Sequence, residues 1–192
     1  MEALFGILTA FGLSASAGLN AYIPLLIVGV IAHYTDWIKL NTPYDLLANP
    51  WVLIIVGVLL IVEMLADKFP AVNHVNDAIQ TLIRPAAGAI VFAASANVIT
   101  GVNPVIAILC GLFVAGSVHT VKAAAIRPAV TATTGGAGNI PVSIAEDVIA
   151  TVVSVLSIVL PILVVVFLIL FVALIIWWIR RRAIRKRNQA VS

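Results

Sequence analysis

Residues 144–179 read IAEDVIATVVSVLSIVLPILVVVFLILFVALIIWWI, and this run decides the class of the fold. Beyond Glu146 and Asp147 it carries no charged residue. As a single helix rising ~1.5 Å per residue it would be about 54 Å long, whereas a bilayer core is only about 30 Å thick. It must project, tilt or kink, and Pro161 is the kink site that the sequence offers. The rest of the chain has the same character. Of 192 residues, 62% are hydrophobic and 10% charged, with a mean hydropathy of +1.17. Soluble domains carry about 25% charged residues, and a chain with so few cannot cover a water-facing surface. The sequence therefore predicts an integral membrane protein. A cytosolic enzyme, a nucleic-acid binder and a disulfide scaffold are excluded together. The single cysteine, Cys110, sits mid-span. The length suits one all-α transmembrane domain over residues 1–179, polytopic, with about five spans (four to six).

The net charge of +3 conceals a division. Six of the eleven basic residues, Arg180, Arg181, Arg182, Arg185, Lys186 and Arg187, fall in the tail 180–192. The body holds Lys39, Lys68, Arg84, Lys122 and Arg127 against all eight acids, and is negative by three. Aromatic Trp177 and Trp178 followed by a basic cluster place the C-terminus in the cytoplasm by the positive-inside rule. Such a cluster grips anionic lipid more readily than nucleic acid. The N-terminus, Met1-Glu2, has no basic leader segment, so no cleaved signal peptide is expected.

The apolar stretch 3–34 is interrupted by Ser14 to Asn20 and by Pro24, which reads as a broken or re-entrant helix. Such backbone survives in a membrane only where protein or a water-filled cavity satisfies it. A polar connection over 35–50 precedes short apolar stretches at 51–66, 85–100 and 104–121, and a Gly/Thr-rich break follows at 128–141. Between them, His74, Asp77, Thr81 and Arg84 share one face of a helix over 74–84, with Val75, Ile79 and Leu82 opposite. Either the apolar side rests in the lipid interface, or the polar stripe forms one wall of a site. An internal echo is also present. Asn49-Pro50 and Asn103-Pro104 each open a span with a lysine eighteen residues after the proline, Lys68 and Lys122. Each unit then reaches Ile-Arg-Pro-Ala, at 83–86 and 126–129, suggesting repeat units of about 49–102 and 103–160. Two full spans per unit would make the repeat parallel, and a re-entrant hairpin at 73–100 would make it inverted. Paired interruptions of this kind mark substrate sites in secondary transporters.

Several strings resemble one bacterial membrane family. They are Gly18-Leu19-Asn20-Ala21-Tyr22-Ile23-Pro24-Leu25, Ala66-Asp67-Lys68-Phe69-Pro70, Arg84-Pro85-Ala86-Ala87-Gly88-Ala89, His119-Thr120-Val121-Lys122 and Ser143-Ile144-Ala145-Glu146-Asp147. The family is catalogued as domain of unknown function 4126, and the similarity spans roughly residues 10–165. The resemblance implies a polytopic membrane protein and supplies no activity.

Ionisable residues in membrane segments are costly and point to function by default. Arg84 and Arg127, each before a proline in a duplicated context, are the leading candidates for binding an anion, since guanidinium stays charged and forks onto phosphate or carboxylate. The alternative is that each pairs with a nearby acid such as Asp77 or anchors a helix end. Glu63 and Asp67 share a face near a helix C-terminus, where the dipole opposes them, so Lys68, Lys122 or a bound cation is expected to stabilise them. Ser143-Ile144-Ala145-Glu146 fits a capping box, which favours a local role for Glu146 over a metal site. His119, Lys122, Asn20 and Asn139 are further cavity-lining candidates. Gly111 and Ala115 form a small-xxx-small pair for close packing. Neither a zinc spacing nor a phosphate-loop or hydrolase signature is present, and no cofactor or metal is expected.

The sequence thus supports a small inner-membrane transporter for a lipid phosphate or small organic anion. In it Arg84 and Arg127 bind substrate, Lys68, Lys122, His119, Asn20 and Asn139 line the site, and Glu63, Asp67 or Asp77 titrates. A homodimer would suit so thin a body. The alternatives are a cation channel or carrier using Glu63, Asp67 and Glu146, and a non-transporting scaffold whose tail recruits lipid. Little supports an enzyme.

Overall fold

The computed structural model describes residues 2–67, 70–96 and 102–161, together with 163, 166, 169, 170 and 177. Lys68 and all of the basic tail 180–192 lie outside these, as do the side chains of His74 and Asp77. Every regular element among the described residues is helical. In order they are α1 (Glu2–Leu19), α2 (Tyr22–Tyr34), a 3-10 turn (Tyr44–Ala48), α3 (Pro50–Ala66), α4 (Pro70–Ala96), α5 (Pro104–Val121), a π-helical segment (Lys122–Ile126), α6 (Arg127–Thr134) and α7 (Asn139–Val159). Three stretches are long and apolar enough to cross a membrane: Ala78–Ala96, Pro104–Thr134 and Asn139–Val159. Leu4–Leu19, Tyr22–Tyr34 and Pro50–Ala66 are shorter apolar helices.

α1 is the central post. Its residues Ala10, Leu13, Ser14, Ser16 and Ala17 are fully or almost fully buried, and lipid tails offer no hydrophobic gain for bringing helices together. Small residues and interhelical hydrogen bonds do that work instead. The Ser14 hydroxyl donates to the Gly111 carbonyl on α5 at 2.8 Å. Ser16 donates to the Ala150 carbonyl on α7 at 2.8 Å and lies 2.7 Å from the Ser154 hydroxyl. α4 and α5 meet through glycine. A Cβ on Gly111 would stand 2.6 Å from Phe92 Cβ and 2.7 Å from Ala89 Cα, so this approach needs the missing side chain. Gly111 and Ala115, both buried, thus pack the helices of one chain together.

The sequence breaks fall where expected at one place and differ at others. α1 ends at Leu19 and α2 begins at Tyr22, so the helix is interrupted at Asn20 and Ala21. Asn20 explains why the break is tolerated: its Oδ1 accepts from the N–H of Tyr22 at 3.0 Å and of Ile23 at 3.2 Å, capping α2 from inside the protein. At the other end of the chain, α7 stops at Val159 and Leu160 leaves the helical region at φ −139°, ψ 67°, immediately before Pro161. By contrast, α4 runs unbroken through Pro85. The segments at 74–84 and 85–100 are therefore one helix as far as Ala96, and no hairpin interrupts it. The Gly/Thr-rich break over 128–141 is narrower than its composition suggests. α6 occupies most of it, and the chain turns only at Gly135 and Gly136, with φ of 63° and 94°.

Asn49 and Asn103 cap α3 and α5 alike, each side chain accepting at 2.9 Å from the N–H two residues on, with proline at the first helical position. Both helices end at the same group of charged residues.

Candidate functional site

α3 inverts the usual pattern of burial. Trp51, Ile54, Ile55, Val58, Ile61, Val62 and Leu65 are exposed, and the buried residue of this helix is Glu63. Apolar side chains face outwards, as a lipid-facing helix requires, and the interior is where the charges meet.

Arg84 on α4 is fully buried. Its Nη2 donates to Glu63 Oε1 at 2.9 Å and lies 4.0 Å from Asp67 Oδ2. The same Asp67 oxygen accepts from Arg127 Nη2 at 2.9 Å. Both duplicated arginines therefore converge on one carboxylate. Asp67 is held further by the Asn76 amide at 2.6 Å and the Ser143 hydroxyl at 3.1 Å. A charged acceptor with this many donors outweighs the unfavourable C-terminal dipole of α3. Arg127 also lies 3.5 Å from Glu146 Oε2, which Lys122 Nζ approaches to 2.6 Å. Lys122, 1% exposed, donates in addition to the Leu19 carbonyl at 3.2 Å. That carbonyl is one of those left without a helical donor where α1 stops.

The backbone explains how Lys122 and Arg127 reach the same group. Five residues along an α-helix turn the side chain about 140° away from its starting face at 3.6 residues per turn. Here the Arg127 N–H bonds the Lys122 carbonyl, an i→i+5 bond that sets residues five apart over one another. Pro128 follows directly, and its ring removes a donor from the regular α pattern.

His119 completes one edge. Its Nδ1 lies 3.3 Å from Arg84 Nη1. Arginine has only donors, so Nδ1 accepts, and Nε2 carries the proton of a neutral ring toward Thr81 Oγ1 at 3.1 Å. On the α2 side, the Asn20 amide donates to Asp147 Oδ1 at 2.9 Å. Among the described residues, several buried polar atoms have no hydrogen-bond partner: Glu63 Oε2, Gln80 Oε1, Arg84 Nε, Glu146 Oε1 and Asp147 Oδ2.

Of the residues singled out in the sequence, Arg84, Arg127, Lys122, His119, Asn20, Glu63 and Asp67 are brought together. Asn139 is not. It starts α7 beside the turn and exchanges hydrogen bonds with exposed Thr131 at 3.0 Å and 3.4 Å. Lys68 and the Asp77 side chain lie outside the described residues. One expectation is corrected. Ser143 and Glu146 do not form a capping box, because α7 already begins at Asn139, leaving both inside the helix and facing the charged group. Among the described residues, the carboxylates of α3 pair with the two arginines. Of the polar stripe read over 74–84, Arg84 is buried and Thr81 is exposed, while the side chains of His74 and Asp77 lie outside the described residues. The inward face of α4 is instead Asn76, Gln80 and Arg84, with Ile79 and Leu82 exposed. Asn76 and Gln80 are members that sequence reasoning passed over, and Ser143 and Asp147 are members that it read as part of a helix start. The four-residue spacing of Asn76, Gln80 and Arg84 was the signal available for the first two.

No group of three or more His, Cys, Asp or Glu side chains suited to a metal occurs among the described residues. A small hollow lined by Tyr44, Ala93, Ala96, Val102, Pro104 and Ala107 contains none of the charged group. The model of a protein family described as "Domain of unknown function (DUF4126)" matches residues 7–181. Searches of curated proteins and of solved structures found no match.

Proposed function

The chain belongs to the DUF4126 family of membrane proteins, and from that premise we propose that it is a small inner-membrane transporter for an anionic substrate. The observation that carries this reading is the convergence of Arg84 and Arg127 on the single Asp67 carboxylate, at 4.0 Å and 2.9 Å, in a closed interior beside a broken helix. Asp67 here stands where a substrate carboxylate or phosphate would stand. Guanidinium groups hold such oxygens by charge-assisted, directional hydrogen bonds. The buried Arg84 Nε, without a partner, is a further donor for an incoming anion.

In this form the arginines are occupied by the protein's own acids. An anion can replace Asp67 or Glu63 only if that carboxylate takes up a proton or moves away, because a buried uncompensated negative charge is unfavourable. Exchange of an internal carboxylate for a substrate anion would link substrate entry to a change in protonation. Lys122 ties the end of α1 to α7 through the Leu19 carbonyl and Glu146, so changes at the arginines reach the helix break.

A cation pathway through Glu63, Asp67 and Glu146 draws no support from the geometry, since each of these acids already has an arginine or lysine within 4.0 Å. A network that merely locks the bundle is the competing reading, and close packing around Gly88 and Gly111 favours it.

Proteoliposomes loaded with labelled phosphate, sulfate or a small dicarboxylate separate the two. Transport predicts flux of at least one probe, reduced tenfold or more in Arg127→Gln, with the variant still folded. Absence of flux for every probe in wild-type vesicles, including a fluorescent anionic lipid, would sink the transporter reading.

A further inference from the structure

The described charges of the network do not balance. Glu63, Asp67, Glu146 and Asp147 are buried, against Arg84, Lys122 and Arg127, while His119 is neutral by its hydrogen bonds. Among the described residues, four carboxyls therefore meet three cations; Lys68 and the side chains of His74 and Asp77 lie outside that count. An uncompensated charge in such a place is costly enough that the group takes up a proton instead.

Geometry singles out which carboxyl does so. Glu63, Asp67 and Glu146 each lie within 3 Å of a cationic nitrogen, at 2.9 Å, 2.9 Å and 2.6 Å. Among the described residues Asp147 has no ion-pair partner and its Oδ2 meets no donor, and it is more than nine-tenths buried. Its one hydrogen bond comes from Asn20, whose amide orientation is fixed because the carbonyl side caps α2. The Asn20 NH2 therefore points at Oδ1, leaving Oδ2 as the site of a proton. The charges around Asp147 come from Asp67 and Lys122 on the α3 and α5 sides and Glu146 on its own helix. Arg84, Arg127 and His119 lie one contact further, behind Asp67 and Glu63.

We propose that Asp147 is the resident proton-binding site of the network, carrying its proton at neutral pH on Oδ2 while Asn20 holds Oδ1. The site stands at the junction of α1, α2 and α7, where Asn20 also caps the broken helix, so gain or loss of the proton acts directly on the break. Within the transporter reading, and resting on it, the coupled ion is then a proton at Asp147. No bond other than O–H forms or breaks, and the proton exchanges with water.

The test reads proton occupancy without any flux. Full-length protein carrying 13C-carboxyl aspartate, in nanodiscs, is followed by carbon NMR across neutral pH. The expected result is a protonated aspartic carboxyl that persists in Asp45→Asn, at an exposed position outside the network, and disappears in Asp147→Asn. Above about pH 6.5, where an unfolded histidine is also neutral, the folding equilibrium of the wild type should fall by up to tenfold per pH unit as pH rises, since the folded state then holds one more proton than the unfolded state. That slope is lost in Asp147→Asn. Should this variant fail to accumulate, Asn20→Ser, which keeps a capping oxygen but loses the donor to Oδ1, must shift the same resonance. Absence of a protonated aspartate at neutral pH, or one indifferent to these two substitutions, overturns the proposal and leaves the anion reading untouched. A confirmed proton with no anion flux does the reverse, leaving the site and removing its transport role.

Discussion

Asp67→Asn is the substitution that bears hardest on the network, because it removes a charge while leaving the side-chain volume almost unchanged. At the 2.9 Å separation of Asp67 and Arg127, two unit charges in a medium of effective dielectric about 20 attract by about 6 kcal/mol before desolvation is counted. Desolvation takes back much of that, so the pair itself contributes modestly. Removing one partner is different: the other charge is left buried, at a cost of about 3–5 kcal/mol. Asparagine also presents N–H groups to the donors of Asn76 and Arg127, which accept nothing. Asp67→Asn should therefore lose about 3–5 kcal/mol, a large part of the ~5–15 kcal/mol that holds a typical fold. Arg127→Gln should cost a similar amount. The double variant should cost at least about 2 kcal/mol less than the sum, because neither charge is then stranded. Reversible unfolding by SDS in mixed micelles, followed by tryptophan fluorescence, measures all three. Additivity within about 0.5 kcal/mol would refute the coupling on which the site rests.

Other outcomes follow from the same geometry. Lys122→Met strands Glu146 and the Leu19 carbonyl and should lose about 3–5 kcal/mol. Adding Glu146→Gln should recover part of this in the same unfolding assay. Gly111→Ala drives a methyl into Ala89 and Phe92 and should destabilise by about 1–3 kcal/mol. Gly57→Ala, with nothing within 4 Å of the new Cβ, should be neutral or stabilise α3 by up to about 1 kcal/mol, read as a shift in the unfolding midpoint. Asn103→Ala removes the cap of α5 and should cost about 1 kcal/mol, the same as Asn49→Ala if the two starts are equivalent.

The all-helical membrane fold could be read from hydropathy and charge, because lipid admits few ways to satisfy a backbone. The Asn-Pro helix starts and the break at Asn20 were legible too, since capping and proline act within a few residues. The candidate site was half legible. Arg84, Arg127, Lys122, Glu63 and Asp67 stood out because charge in an apolar chain is conspicuous. Their partners did not, because pairing spans up to 103 residues of sequence, as between Lys122 and the Leu19 carbonyl. Glu146 was misread for a physical reason. A capping box is a four-residue pattern, and nothing within four residues shows that α7 had already started at Asn139. The π-helical turn that aligns Lys122 with Arg127 was equally invisible, since it depends on how Pro128 perturbs a helix that is otherwise regular.

The Arg84–Glu63 pair also bears on how the chain enters its membrane. The segment Ala78–Ala96 has a mean hydropathy of only 1.3, and a lone arginine at mid-span disfavours insertion by about 2.5–3.5 kcal/mol. Glu63 lies on the preceding helix and is synthesised first. Inserted as a hairpin, α3 and α4 carry both charges in as a neutral pair, each lowering the barrier that the other would face alone.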